Sequence, residues 1–422
     1  MRPRRRPRTA IFPLVAAALL LPACSFHPRG QAVYFFEGKS DPSETEFTRE
    51  LSSATGEPAI GGNRCRLLEN GDRMFPAMLD EIRRAQLSVN LEAYIFSSDA
   101  MGTRFARAIE ERARAGVRCR VLVDGWGSHT LSKGLEVEMK KAGVQLERFR
   151  PILLFHRLKN RTHRKILVVD GKVGFVGGQG FDDRWEGDAD SPRHWHDAAV
   201  RIEGPGVSRL QGIFAENWIG QKRSVPAGPG DYPDLPPAGD ETVIFQRSSF
   251  GERNSRSALG LDLLLHAARR EIRIENAYFI PDATATGLLT EATRRGVRVE
   301  IIVPGPRNNL GYVRDASRAG YGPLIEGGVK IFEYRPTMMH AKTIVIDGIW
   351  ASVGSANIDS RSFFLNDEVN VLIRSAGFCS ELSAMFDRDL AKSDEITLAQ
   401  WRSRSLGKKL LEMFIGLFQS EM

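Results

Sequence analysis

The chain has 422 residues, 42% hydrophobic and 26% charged, with a formal net charge of +7. This is ordinary globular composition with room for two domains. The basic excess is local: without the five arginines among the first 23 residues the charge is about +2, so bulk charge gives no argument for nucleic-acid binding.

Those arginines, Arg2, Arg4, Arg5, Arg6 and Arg8, precede an apolar run from Ile11 to Ala23. The run is short for a membrane span, and residues 1–23 read as a secretory signal. It ends in Leu21-Pro22-Ala23-Cys24, which resembles a bacterial lipobox; that resemblance implies lipidation of Cys24, with Pro22 a departure from the motif. An uncleaved anchor or an ordinary cleaved signal are the alternatives. Cys65, Cys119 and Cys379 are odd in number and widely spaced, with no CxxC, so they form no disulfide framework and no zinc site. Residues 24–62 are polar and short of periodicity, and are expected to be a tether.

From Leu67 onward the pattern alternates between strand and helix. After an amphipathic helix, residues 85–96 read as a strand, 102–116 as a helix closed by Gly116, and 117–125 as a second strand. The later half repeats this with a strand at 270–280, a helix at 286–296 closed by Gly296, and a strand at 297–305. Glu92 and Glu275, Tyr94 and Tyr278, and Gly143-Val144 and Gly328-Val329 recur in the same order. Whole α/β domains are therefore duplicated, at 63–220 and 243–400. The Pro/Gly-rich stretch 221–242 is the expected linker, and two fused copies suggest a pseudo-two-fold arrangement with a site at their interface.

The repeat is sharpest at "THRKILVVDGKVGFVGGQG" (162–180) and "MHAKTIVIDGIWASVGSAN" (339–357). His163, Lys165 and Asp170 have the same offsets as His340, Lys342 and Asp347. Residues two apart in a strand share a face, so each histidine and its lysine point the same way. Ser355 and Asn357 follow on a tight turn and add a hydroxyl and an amide. Two such halves would surround a small volume with two imidazoles and two ammoniums, which suits a phosphodiester. A neutral imidazole can attack phosphorus, a protonated one can supply the leaving oxygen, and the lysines can do a cation's work without a metal. Asp197 and Glu368 each open a strand after the motif of their own copy and are the expected histidine partners. By elimination, Asp170 and Asp347 read as structural groups that bind backbone amides.

The paired H-x-K-x4-D motifs, with G-S-x-N after the second, resemble the phospholipase D superfamily. "LLENGDRMFPAMLDEIRRAQLSVNLEAYIF", "HRKILVVDGKVGFVGG", "AYFIPD", "GVKIFEY" and "HAKTIVIDGIWASVGSANIDSRSFFLNDEVN" are similar to bacterial cardiolipin synthases of the type without long transmembrane anchors. The resemblance runs from about Leu67 to about Arg374. It implies two pseudo-symmetric α/β/α-sandwich domains sharing one active site, no cofactor or metal, and a phosphohistidine intermediate that passes a phosphatidyl group to a lipid alcohol. It also implies a catalytic set of His163, Lys165, Asp170, His340, Lys342 and Asp347, with His163 as nucleophile and Lys165, Lys342 and Asn357 on the phosphate. The first copy departs from the pattern: Gly180 stands where Asn357 stands in the second, so either Gln179 substitutes or that half binds phosphate less well.

Three function classes follow: a cardiolipin-forming phosphatidyltransferase, a phospholipase D-type hydrolase acting on lipid or nucleic acid, and a lipid-binding protein with a degenerate site. Two intact His-Lys pairs count against the third, and the small mature charge counts against a nuclease. The expected partners are phosphatidylglycerol, cardiolipin and a membrane surface, in a bacterial cell envelope with the chain held by Cys24 and facing the periplasm. The tail 401–422 contains "LGKKLLEMFIGLF", read as a packed closing helix or an interfacial one. His194 and His196 share a strand face in "HWHD" without a third clear ligand, and "FFL" (363–365) reads as an acyl-chain contact or as core.

Overall fold

The computed structural model describes residues 36–38, 40–150, 160–249, 255–405, 407 and 409. The signal, Cys24 and the hydrophobic tail beyond 409 lie outside them. Among the described residues, fifteen strands form one continuous sheet. In the first half these are β1 (Ile60–Glu69), β2 (Ser88–Ala93), β3 (Arg118–Asp124), β4 (Gln145–Phe149), β5 (Ile166–Val169), β6 (Val173–Gly177) and β7 (Ala198–Glu203). In the second they are β8 (Glu241–Ser248), β9 (Glu271–Asn276), β10 (Arg298–Pro304), β11 (Lys330–Tyr334), β12 (Lys342–Ile346), β13 (Trp350–Gly354), β14 (Glu368–Arg374) and the short β15 (Ser393–Glu395).

Reading outward from the middle, the order β1-β7-β6-β5-β2-β3-β4 mirrors β8-β14-β13-β12-β9-β10-β11. Antiparallel pairing of β1 with β8 joins the two halves. The motif strands β5 and β12 are central and wholly buried, as their apolar runs require. The predicted βαβ units form in both halves, as the helices Ala100–Arg114 and Ala283–Arg294. Asp99 and Asp282 cap their starts by accepting from Gly102 and Ala285 amides. Gly116 and Gly296 follow their ends at φ of 90° and 88°, a left-handed turn that suits glycine.

Each half has its own outer core, but a third core crosses the junction. It joins Leu210, Phe214 and Trp218 of the helix Gly206–Lys222 to Phe378, Leu382 and Phe386 of the helix Ala376–Leu390. Two stretches differ from expectation. The tether region carries a helix, Thr45–Thr55, and the start of β1; Phe47, Leu51 and Thr55 recur every four residues and bury one face against the second half. The linker packs back on the first half, where the buried Asp231 pairs with Arg120 at 2.8 Å. Among the described residues no helix is long and apolar enough to cross a membrane.

Candidate active site

The sequence places each motif histidine at the entry to a central strand, and two backbone seams then decide what it meets. His163 N–H donates to Asp367 O (2.8 Å) and Asp367 N–H to Arg161 O (2.9 Å). On the other side, His340 N–H donates to His196 O (2.7 Å) and His196 N–H to Met338 O (2.9 Å). Each motif is thus stitched to the residue just before the acid of the opposite half. The histidine–acid pairs are accordingly crossed: His163 Nδ1 lies 2.9 Å from both Glu368 oxygens, and His340 Nδ1 lies 2.7 Å from Asp197 Oδ2. Asp197 and Glu368 are the histidine partners the sequence named, and the structure adds that each serves the histidine of the other copy.

The acids are held by donors of their own half. Ser355 and Ser362 hydroxyls donate to Glu368 at 2.6 and 3.0 Å, and Trp185 Nε1 donates to Asp197 at 2.8 Å. With Nδ1–H directed at a carboxylate, each imidazole has its lone pair on Nε2; that of His340 lies 3.3 Å from Lys342 Nζ. Lys165 and Lys342 donate back to the carbonyls of His163 and His340, and Lys165 lies 5.5 Å from the Tyr94 ring centroid.

Burial dominates the electrostatics. It pulls His163 down to about 4 and His340 to about 3, with the neighbouring lysines adding to the shift and the acids opposing it. Both imidazoles are therefore neutral at pH 7. Burial also lowers Lys165 to about 7 and Lys342 to about 8, while Glu368 and Asp197 partly restore their charge. Burial works against ionisation of the two acids as well, but the surrounding cationic and donor groups hold both below the usual carboxylate range.

Asp170 and Asp347, counted with the catalytic set by motif, sit at the far ends of their strands from the histidines. Asp170 accepts from the amides of Gln86, Leu87 and Ser88, and Asp347 from those of Arg269, Arg270 and Glu271. Both adopt positive φ, 51° and 55°, which aspartate tolerates at a turn. They fix the loops that launch β2 and β9 and do not face the histidines, in line with the reading by elimination.

Asn357 is buried, and its side-chain oxygen finds no partner among the described residues. Gln179 does not stand in for it in the first half; its amide turns into the core, 3.9 Å from Met78 Sδ. Gly180 has a steric cause, since a Cβ there would lie 2.7 Å from Trp185 Cζ3. The indole fills the space and supplies the N–H that reaches Asp197. Trp185 and Ser362 fall five residues after Gly180 and Asn357, so aligning the copies one turn further would have found both.

Tyr94, Trp195 and Tyr278 were also missed as site residues. Tyr94 meets His163 edge-on at 4.9 Å, whereas Trp185 (5.2 Å), Trp195 (5.2 Å) and Tyr278 (6.4 Å) surround His340. Glu92 and Glu275 support the motifs indirectly, by accepting from Thr162 and from Thr343 hydroxyls. Phe363 packs in the second-half core.

The two histidines of "HWHD" part company. His194 pairs with Asp190 in an exposed loop, and His196 is buried 3.0 Å from Asp389, beside Glu275. These last three come within ligating distance of one another. Burial opposes charge on His196, yet Asp389 raises it to about 9, and burial pushes Glu275 up so that it stays a neutral acid. The group reads as a clamp between the halves. Asp389→Asn leaves a buried imidazolium unpaired and is expected to destabilise the fold by about 3–5 kcal/mol in chemical denaturation at pH 6. Because the folded His196 value lies above its unfolded one, this stabilisation is complete below about 6.5 and is lost as pH rises through about 9.

The two halves thus bring together two carboxylate-backed imidazoles and two lysines, a set whose chemistry suits phosphodiester exchange. The fold is shared with phosphatidylserine synthase from Haemophilus influenzae, which superposes with a TM-score of 0.68 over 90% of this chain and 100% of its own, at 13% identity. A family model described as cardiolipin synthase, phospholipase D-like domain, matches residues 78–218 and 261–390. Cardiolipin synthase 1 of Bacillus cereus is 32% identical over 384 residues, covering 88% of this chain and 75% of its own. Cardiolipin synthase A of Pseudomonas fluorescens is 36% identical over 351 residues, covering 82% and 72%. The chain belongs to the cardiolipin synthase family of phospholipase D-like enzymes.

Proposed function

We propose that this protein is a phosphatidyltransferase that forms cardiolipin from two molecules of phosphatidylglycerol through a covalent histidine intermediate. The observation that carries the reading is the pair of buried imidazoles, each with Nδ1 on a carboxylate from the opposite half. His163 Nε2 attacks phosphorus, the bond to the glycerol oxygen breaks, and His340 gives that oxygen a proton. A headgroup hydroxyl of the second lipid then attacks phosphorus and gives its proton to His340, and the Nε2–P bond breaks to release His163 as the neutral imidazole. Lys165, Lys342 and Asn357 bear the charge on the phosphoryl oxygens, and the anionic substrate itself favours protonation of the imidazole beside it. His163 is assigned the attack because its side chain is 13% exposed, against 6% for His340 within its aromatic wall. The sequence around Cys24 supports a lipid anchor in the cell envelope, with the enzyme facing the periplasm.

Labelled phosphatidylglycerol vesicles test this: cardiolipin with free glycerol is expected. Phosphatidic acid alone would make water the acceptor and the enzyme a phospholipase D. The outer limbs of the pH–activity profile follow from the nucleophile and the lysines, since His340 takes up its proton only beside the anionic substrate. Activity falls as pH drops through about 4, where His163 protonates, and as pH rises through about 7 to 8, where first the Lys165 and then the Lys342 ammonium is lost. An alkaline limb near the ordinary lysine value of 10.5 would contradict the burial of Lys342.

A further inference from the structure

Two large aromatic side chains stand out in the open at the end of the sheet that carries the histidines. Trp126 is 52% exposed in the loop after β3, and Tyr312 is 54% exposed in the first turn of the helix Gly311–Ala319, after β10. β3 and β10 hold equivalent places in the two halves, so the pair repeats the pseudo-symmetry of the site. Each sits outside a tyrosine that touches a histidine. Gly127 abuts Tyr94, with a Cβ there falling 2.7 Å from the Tyr94 ring; Tyr94 in turn meets His163. On the other side Tyr278 meets His340 and exchanges hydrogen bonds with Asn309, three residues before Tyr312.

The mounting is stiff. Buried Asp124 accepts from the amides of Trp126 (2.8 Å) and Gly127 (2.9 Å) through one oxygen, and from the amide of Thr162, next to His163, through the other (3.1 Å). Val313 and Ala316 anchor the helix of Tyr312 beside Ile280. Rigid exposed aromatics cost apolar exposure and earn nothing from the fold, whereas Trp and Tyr are favoured where an apolar ring can sit among lipid headgroups. Arg307, between β10 and the helix of Tyr312, and Lys133, after the Trp126 loop, are exposed and add positive charge to the chain beside each aromatic.

We infer that Trp126 and Tyr312 are a two-point membrane-docking device that seats the mouth of the active site on an anionic bilayer surface. The inference rests on the phosphatidyltransferase reading for its biological sense, but its test does not. Full-length protein is mixed with phosphatidylglycerol vesicles brominated near the upper acyl chain. Emission from Trp126, taken as wild type minus Trp126→Phe, is expected to be quenched more than twofold; no quenching of that difference signal overturns the proposal, whatever the enzyme does. In parallel, the pair Trp126→Ala with Tyr312→Ala is expected to lower turnover of vesicle lipid at least tenfold while changing turnover of a short-chain, monomeric phosphatidylglycerol less than twofold. Equal losses on both substrates would make the residues part of the site or the fold, and no loss on either would leave docking to other segments; both results overturn the inference. Quenching without turnover of either lipid would instead contradict the functional reading and leave the docking surface standing.

Discussion

Replacing either His163 or His340 with alanine is expected to lower phosphatidyl transfer by about 10³–10⁴-fold or more, and the double replacement to lower it little further. The two imidazoles act on one phosphorus as a unit, so removing one leaves the other without a task. The cause is local, because neither side chain carries the core: His163 is partly open, and His340 packs against rings that hold one another, Trp185 and Trp195 lying 4.6 Å apart. Circular dichroism of both variants should match the parent, while the denaturation midpoint falls, because each leaves a buried carboxylate without its imidazole. Loss of activity in only one variant would mean that the halves do not share a site.

The second large effect falls on the acids. Asp197→Asn and Glu368→Gln keep shape and remove charge, and each is expected to lower kcat by about 10²–10⁴-fold, the scale seen when a histidine loses its orienting carboxylate. The sign is fixed by the site. Asp197 raises His340 against burial and Lys342, so its neutralisation drives His340 lower still and leaves it a poorer carrier of the proton for the leaving oxygen. Glu368 does the same for His163 and fixes Nδ1 as the protonated nitrogen. KM should move much less than kcat, because the lysines and Asn357 remain to hold the phosphate. A change confined to KM would make the acids binding groups rather than positioning ones.

Much of this was legible in the chain because the site is written twice. Identical offsets in two copies gave the histidines, the lysines and the strands that carry them, and strand alternation put each pair on one face. The acids were also found, but not their allegiance. That depends on how β1 and β8 bring the copies together and on the seams at Asp367 and His196, contacts between residues about 150 to 200 positions apart that no local pattern encodes. Gly180 looked like a missing ligand until Trp185 was seen to fill its place. Tyr94 and Tyr278 recur in both copies, but nothing in their local pattern says that each reaches a histidine. The helix Thr45–Thr55 was hidden for the opposite reason: its buried stripe of Phe47, Leu51 and Thr55 is thin and set in polar sequence, so only packing against the second half makes it visible.

The crossing of the two acids is the feature on which a single shared site depends, and the imidazole resonances of histidine-labelled protein report it directly. Asp197→Asn is predicted to shift or abolish the low-field Nδ1–H signal of His340 and to leave that of His163 in place, and Glu368→Gln to do the reverse. If each substitution instead moved the histidine of its own half, the two copies would be separate catalytic units and a single shared site would be ruled out.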